Sequence, residues 1–233
     1  MFSFIQLHPI IIAPFVGIIP ALFWLWFWLK EDPHAEPHRK LTLCFLGGML
    51  AVIIVLPIQK IIYISSDIPP TWVFVVWAGL EELMKFAFAF MIALGSNDDD
   101  EPVDNIIYMI VVALGFVALE NTLFLVNPIT SGSVVDTVIT VNLRFVGASL
   151  LHIMTSSIIG ASLGLAFYKT KKIKMLYLAS GVILAVTLHT LFNLFIINQP
   201  DNGVFLVFGS VWLGIILIML LFEKIKNIQP AKY

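Results

Sequence analysis

The sequence predicts an all-α fold: a polytopic transmembrane helical bundle of about seven spans. Three observations predict it. Of 233 residues, 60% are hydrophobic and only 12% are charged, about half the charge of a soluble domain. Mean hydropathy is +0.99. The apolar residues gather in seven long runs separated by polar loops, the pattern of chains that cross a bilayer repeatedly. The whole chain, 1–233, reads as one integral membrane domain with no repeat and no low-complexity linker. A net charge of −2 carries no nucleic-acid footprint, so the expected surroundings are lipid bilayer and membrane partners. The one cysteine, Cys44, excludes an intramolecular disulfide and a Cys-based zinc site. No polar neighbour in sequence would lower its pKa, so it is not a nucleophile.

Span one covers about Ile10 to Leu29, with Trp24, Trp26 and Trp28 as an interfacial belt. It lacks a basic n-region and a small-residue cleavage site, so it is not a signal peptide. A polar loop, 30–40, follows. Span two is Leu41–Leu56, and Pro57–Pro70 reads as a loop or interfacial helix. Span three is Thr71–Leu94, followed by an acidic loop, Gly95–Asn105. Span four is Ile106–Val126. Span five covers about Val141–Tyr168, span six Met175–Ile197 and span seven Val204–Phe222. The loops after spans one and five and the C-terminal tail hold ten of the Lys and Arg residues. Only Lys60 and Arg144 fall on the other side. The positive-inside rule then predicts N-terminus out and C-terminus in, in the cell membrane.

The informative residues are the polar ones inside these runs. Span three carries Gly79-Leu-Glu-Glu-Leu-Met-Lys-Phe86 at its centre. Glu81, Glu82 and Lys85 each cost about 2.5–3.5 kcal/mol at the middle of a membrane helix. Spacings of four and three let all three share one broad face. One lysine offsets one carboxylate; the second needs a proton, a cation or another partner. Span four contributes Glu120 and Asn121, span five His152, and span six His189 and Asn193, four apart on one face. At 1.5 Å per residue, Glu81, Glu120, His152 and His189 lie about 15, 9, 16 and 9 Å below the outer boundary. Taken singly, a membrane His or Asn is an interhelical hydrogen-bond former. Taken together, they place acids and imidazoles in one layer of the bilayer.

Such a set can activate water. A buried Glu accepts a proton and returns it to a leaving amine, while imidazole and amide groups donate to an oxyanion. Two His with one or two Glu equally suit a zinc ion with an open position. No Asp lies inside a span, which excludes a paired-Asp protease and a Ser-His-Asp triad. Intramembrane Glu, Lys and His also build proton relays, so a proton- or cation-coupled transporter is the alternative. A catalytically silent scaffold is the third reading.

Three ordered motifs, Glu81-Glu82-x-x-Lys85, Phe116-x-x-x-Glu120-Asn121 and His189-x-x-x-Asn193, resemble the PrsW family of intramembrane proteases. That family is related to the type II CAAX-prenyl endopeptidases. Asp32-Pro-His-Ala-Glu36-Pro37, Glu101-Pro102-x-Asp104, and Arg144 with His152 also look like it. The resemblance spans about residues 30–195, with the motif-bearing core at about 70–197. It implies hydrolysis of membrane-anchored protein substrates, with a membrane-spanning anti-sigma factor as the best-known kind. The expected roles are Glu81 as general base and Glu82 orienting a histidine or sharing a proton. Glu120 and His152 would complete a water or metal site, and His189 and Asn193 would bind the oxyanion. Glu81, His152 and His189 are the candidate metal ligands, zinc being one occupant and a metal-free glutamate mechanism the other. Lys85 would balance the carboxylates, Asn121 would support Glu120, and Arg144 would snorkel to the interface.

Overall fold

The computed structural model describes residues 9–65, 67–198 and 204–230. Among these the chain is helical, with no strand. The helices are α1 (Pro9–Glu31), α2 (His38–Ser65), α3 (Pro70–Ile92), α4 (Asp104–Thr130), α5 (Val134–Leu143), α6 (Ser149–Leu165), α7 (Lys171–Asn198) and α8 (Val204–Lys226). A π-helical turn, Arg144–Ala148, joins α5 to α6 without a break. Six helical segments are long and apolar enough to cross a membrane: α1, α2, α4, the continuous α5–α6 rod, α7 and α8. The seventh, α3, spans 23 residues but carries Glu81, Glu82 and Lys85 at its middle. The chain is a multi-pass membrane protein.

The sequence runs survive as helices, and several of their boundaries move. Pro57 does not end the second helix; α2 continues through it to Ser65. Proline deletes one backbone donor, and a helix packed in a membrane protein tolerates that loss. The fourth span likewise runs through Pro128 to Thr130. The fifth begins earlier than expected, at Val134, where the Ser133 side chain accepts the Asp136 amide at 3.2 Å.

Helix α4 is the axis of the bundle. Fifteen consecutive residues, 104–118, are buried, as expected of a helix apolar on every side. Its neighbours reach its backbone through glycines. A Cβ on Gly48 of α2 would lie 1.9 Å from the Val112 carbonyl oxygen, and one on Gly115 would lie 1.9 Å from the Phe45 carbonyl oxygen. A Cβ on Gly160 of α6 would meet the Asn105 carbonyl oxygen at 2.5 Å. Small residues at the interface let membrane helices pack by backbone contact.

The two Glu-Pro motifs organise the loop face. Lys40 donates to the Ile92 carbonyl at 2.9 Å and pairs with Asp98 at 3.2 Å, closing the C-terminus of α3. Asp104 accepts the Asp100 and Glu101 amides at 2.9 and 2.7 Å, as an acid at a helix start should. His34 meets Glu101 at 2.7 Å, and the Tyr108 hydroxyl donates to Glu36. Burial pushes the Glu36 carboxyl above the usual carboxylate range, against the lowering pull of the Tyr108 and Asp104 hydrogen bonds. These motifs fasten loops. Asp104 is sixteen residues, about 24 Å of helix, from Glu120.

Candidate active site

Inside the bundle, α3, α4, α6 and α7 bring their polar residues to one place. The His152 and His189 rings stand perpendicular with centroids 5.0 Å apart. His152 Nε2 lies 3.3 Å from Glu120, and His189 Nε2 lies 3.5 Å from Glu81. The single layer expected from helix rise is therefore a set of contacts.

Glu82 is the most constrained member. Neither it nor Lys85 has exposed surface, and the Lys85 ammonium stands 2.6 Å from Glu82 Oε1. Thr155 donates to the same oxygen at 2.9 Å and Ser156 to the other at 3.3 Å. His189 Nδ1 lies 2.7 Å from Oε1. A carboxylate only accepts, so Nδ1 carries a hydrogen toward Glu82 and Nε2 is left facing Glu81. Carboxylates hold metal-binding histidines in this way. Lys85 also reaches His152 Nδ1 at 3.0 Å, and His152 Nε2 faces Glu120.

Glu120 has its own cation. Arg144, carried on the π-helical turn, donates through Nη2 to Glu120 and through Nε to Asn121. Its guanidinium covers the Phe124 ring at 4.1 Å. Asn121 in turn donates to Ser149 at 3.4 Å. This corrects the expectation that Arg144 snorkels to the interface: the side chain is turned inward, with 13% of its surface exposed. A single acid within reach in a medium of low dielectric outweighs solvent at the rim.

Glu81 has neither lysine nor arginine. Its Oε1 accepts a hydrogen bond from Gln59 of α2 at 2.8 Å, and its Oε2 is buried with no hydrogen-bond partner. Gln59 is the residue the sequence reading passes over, because Pro57 suggested that the helix had already ended. Its signal was available: Val52, Val55 and Gln59 continue the spacing of one buried face.

One donor atom from each of Glu81, His152 and His189 lies within 4.8 Å of the others, all three residues being buried. A buried carboxylate oxygen without a partner and two imidazoles, one backed by Glu82, fit a divalent ion of zinc character. Asn193 sits one turn beyond His189 and is half-buried.

A family model described as PrsW family intramembrane metalloprotease matches residues 36–222. The chain belongs to the PrsW family. Curated relatives named Protease PrsW agree along most of the chain. The Geobacillus kaustophilus protein is 28% identical over 93% of this chain and 90% of its own. The Oceanobacillus iheyensis protein is 33% identical over 76% of this chain and 79% of its own. The Bacillus subtilis protein is 29% identical over 81% and 84%. No solved structure matches. Membership makes this a membrane peptidase and sets aside the transporter and scaffold readings.

Proposed function

We propose that this PrsW-family protein hydrolyses peptide bonds of membrane-anchored substrates at the cluster of Glu81, His152 and His189. The observation that carries the proposal is a charge count. Three carboxylates, Glu81, Glu82 and Glu120, share two cations; Lys85 takes Glu82 and Arg144 takes Glu120. Glu81 remains, with one oxygen unpartnered in a buried setting. Such a group calls for a cation or a proton.

Glu81, His152 and His189 would hold the metal of this metalloprotease family, which supplies Lewis acidity toward a carbonyl and toward water. The chain's own residues do the rest. Glu82 holds the His189 ring through Nδ1 so that Nε2 faces Glu81. Glu120, fixed by Arg144, stands 3.3 Å from His152 Nε2 and would orient that ring. Asn193 offers an amide donor to the oxyanion. Water oxygen bonds to the carbonyl carbon, the C–N bond breaks, and a proton of that water passes to the leaving amine. The family resemblance extends the proposal to a membrane-spanning anti-sigma factor as substrate and the cell membrane as location.

Purified full-length protein and a tagged single-span substrate test this. Glu81→Gln keeps the shape and the Gln59 contact but removes the charge. Expected are loss of cleavage, loss of bound zinc by elemental analysis and an unfolding temperature close to that of the zinc-free native protein. Cleavage by Glu81→Gln at the native rate would remove Glu81 from the mechanism.

A further inference from the structure

The buried face of α2 reads Leu41, Cys44, Gly48, Val52, Val55, Gln59, in steps of three and four. Five positions follow the rule of an apolar packing stripe, and the sixth breaks it with an amide that is 6% exposed. A buried amide without a partner is costly in a membrane. Gln59 finds its partner in Glu81, 2.8 Å away.

That contact makes the two oxygens of Glu81 unequal. Oε1 is occupied, while Oε2 has no hydrogen bond and lies 3.5 Å from His189 Nε2. A neutral donor also leaves the charge of Glu81 unspent. Lys85 and Arg144, at Glu82 and Glu120, neutralise the acids they hold. A lysine or arginine at 59 would do the same to Glu81.

We propose that Gln59 is a positioning residue of the active site, anchoring Glu81 Oε1 through an uncharged amide so that Oε2 faces His189. The inference rests on the reading of Glu81 as the working carboxylate. Gln59 acts only through Glu81.

The test uses the full-length protein in detergent with three variants. Gln59→Met keeps length and volume without the donor. Gln59→Asn keeps an amide one methylene short. Glu81→Gln is the control for the underlying reading. Zinc affinity is read by competition with a chromophoric chelator, and kcat and KM with the tagged single-span substrate. Removal of a residue that orients a ligand costs about 10–100-fold in metal affinity or activity. For Gln59→Met the expected result is a loss of that size in zinc affinity and in kcat, at unchanged KM. Gln59→Asn should lie between it and the native protein, and it carries the test if Gln59→Met does not fold. Native kcat and native zinc affinity in the variant that folds, with Glu81→Gln inactive, would overturn the role of Gln59 and leave Glu81 standing. Native activity in Glu81→Gln would overturn both.

Discussion

Lys85 Nζ lies 2.6 Å from Glu82 Oε1 and 3.0 Å from His152 Nδ1, wholly inside the bundle. One cation thereby neutralises an acid of its own helix and orients a ring of another. Lys85→Met leaves Glu82 charged among Thr155, Ser156 and His189. Removing one partner of a buried pair costs about 3–5 kcal/mol, so this variant should unfold well below both the native protein and Glu81→Gln. Thermal unfolding in detergent checks it. Equal unfolding temperatures for the two variants would mean that the ammonium is dispensable for the fold.

Arg144 grips Glu120 and Asn121 with two different nitrogens. A lysine is a single point charge and cannot reproduce that fork. Removing a group that orients a ligand costs about 10–100-fold in metal affinity or activity; Arg144→Gln is expected to lose that much, and Arg144→Lys less. Steady-state kinetics with the tagged substrate measure both. A native kcat for Arg144→Gln would show that Glu120 needs no such support.

On the loop face, burial raises the Asp32, Glu36 and Asp99 carboxyls. The folded protein then holds protons there more tightly than the unfolded chain. Stability from this source is present at low pH and declines as pH rises from the ordinary carboxylate range through the raised folded values. Glu36→Gln, which still accepts from Tyr108, should flatten that decline. Unfolding temperature against pH measures it; an unchanged slope would place the effect on carboxyls other than Glu36.

The split of Lys and Arg between the two faces predicts topology. Reporter fusions after residues 35 and 172 should read cytoplasmic, and one after residue 132 external. In that orientation water reaches the cluster from outside, and the cut should fall in the outer third of the substrate span or just beyond it. Gly or Pro near the bond should favour cleavage, since both lower the cost of unwinding a helix. Mass spectrometry of the two fragments locates the bond. Cuts on the cytoplasmic side would reverse either the orientation or the site.

Much of the candidate site was legible in the sequence because an ionisable residue in an apolar run has no solvent to excuse it. Glu81, Glu82, Lys85, Glu120, His152 and His189 stand out on that ground alone. Helix rise was enough to place four of them in one layer, since it depends on nothing but residue count. Pro57 misled for a local reason: its missing donor is visible in the sequence, while the packing that carries α2 past it is not.

Partner choice was beyond the sequence. Lys85 has Glu81 four residues before it and Glu82 three residues before it, and spacing permits either pair. Contact with Thr155, Ser156 and His189 decides for Glu82. Arg144 reads as an interface residue until the π-helical turn carries it to Glu120. Gln59 has no meaning until α2 lies beside α3. Composition and periodicity are properties of one helix and determined that there are helices, where they run and which groups they bury. The pairing of those groups depends on how closely and at what rotation helices meet. Backbone contacts such as Gly48 with Val112 and Gly160 with Asn105 set that approach. Only the packed bundle therefore decided that Lys85 and Arg144 neutralise Glu82 and Glu120 and leave Glu81 without a cation.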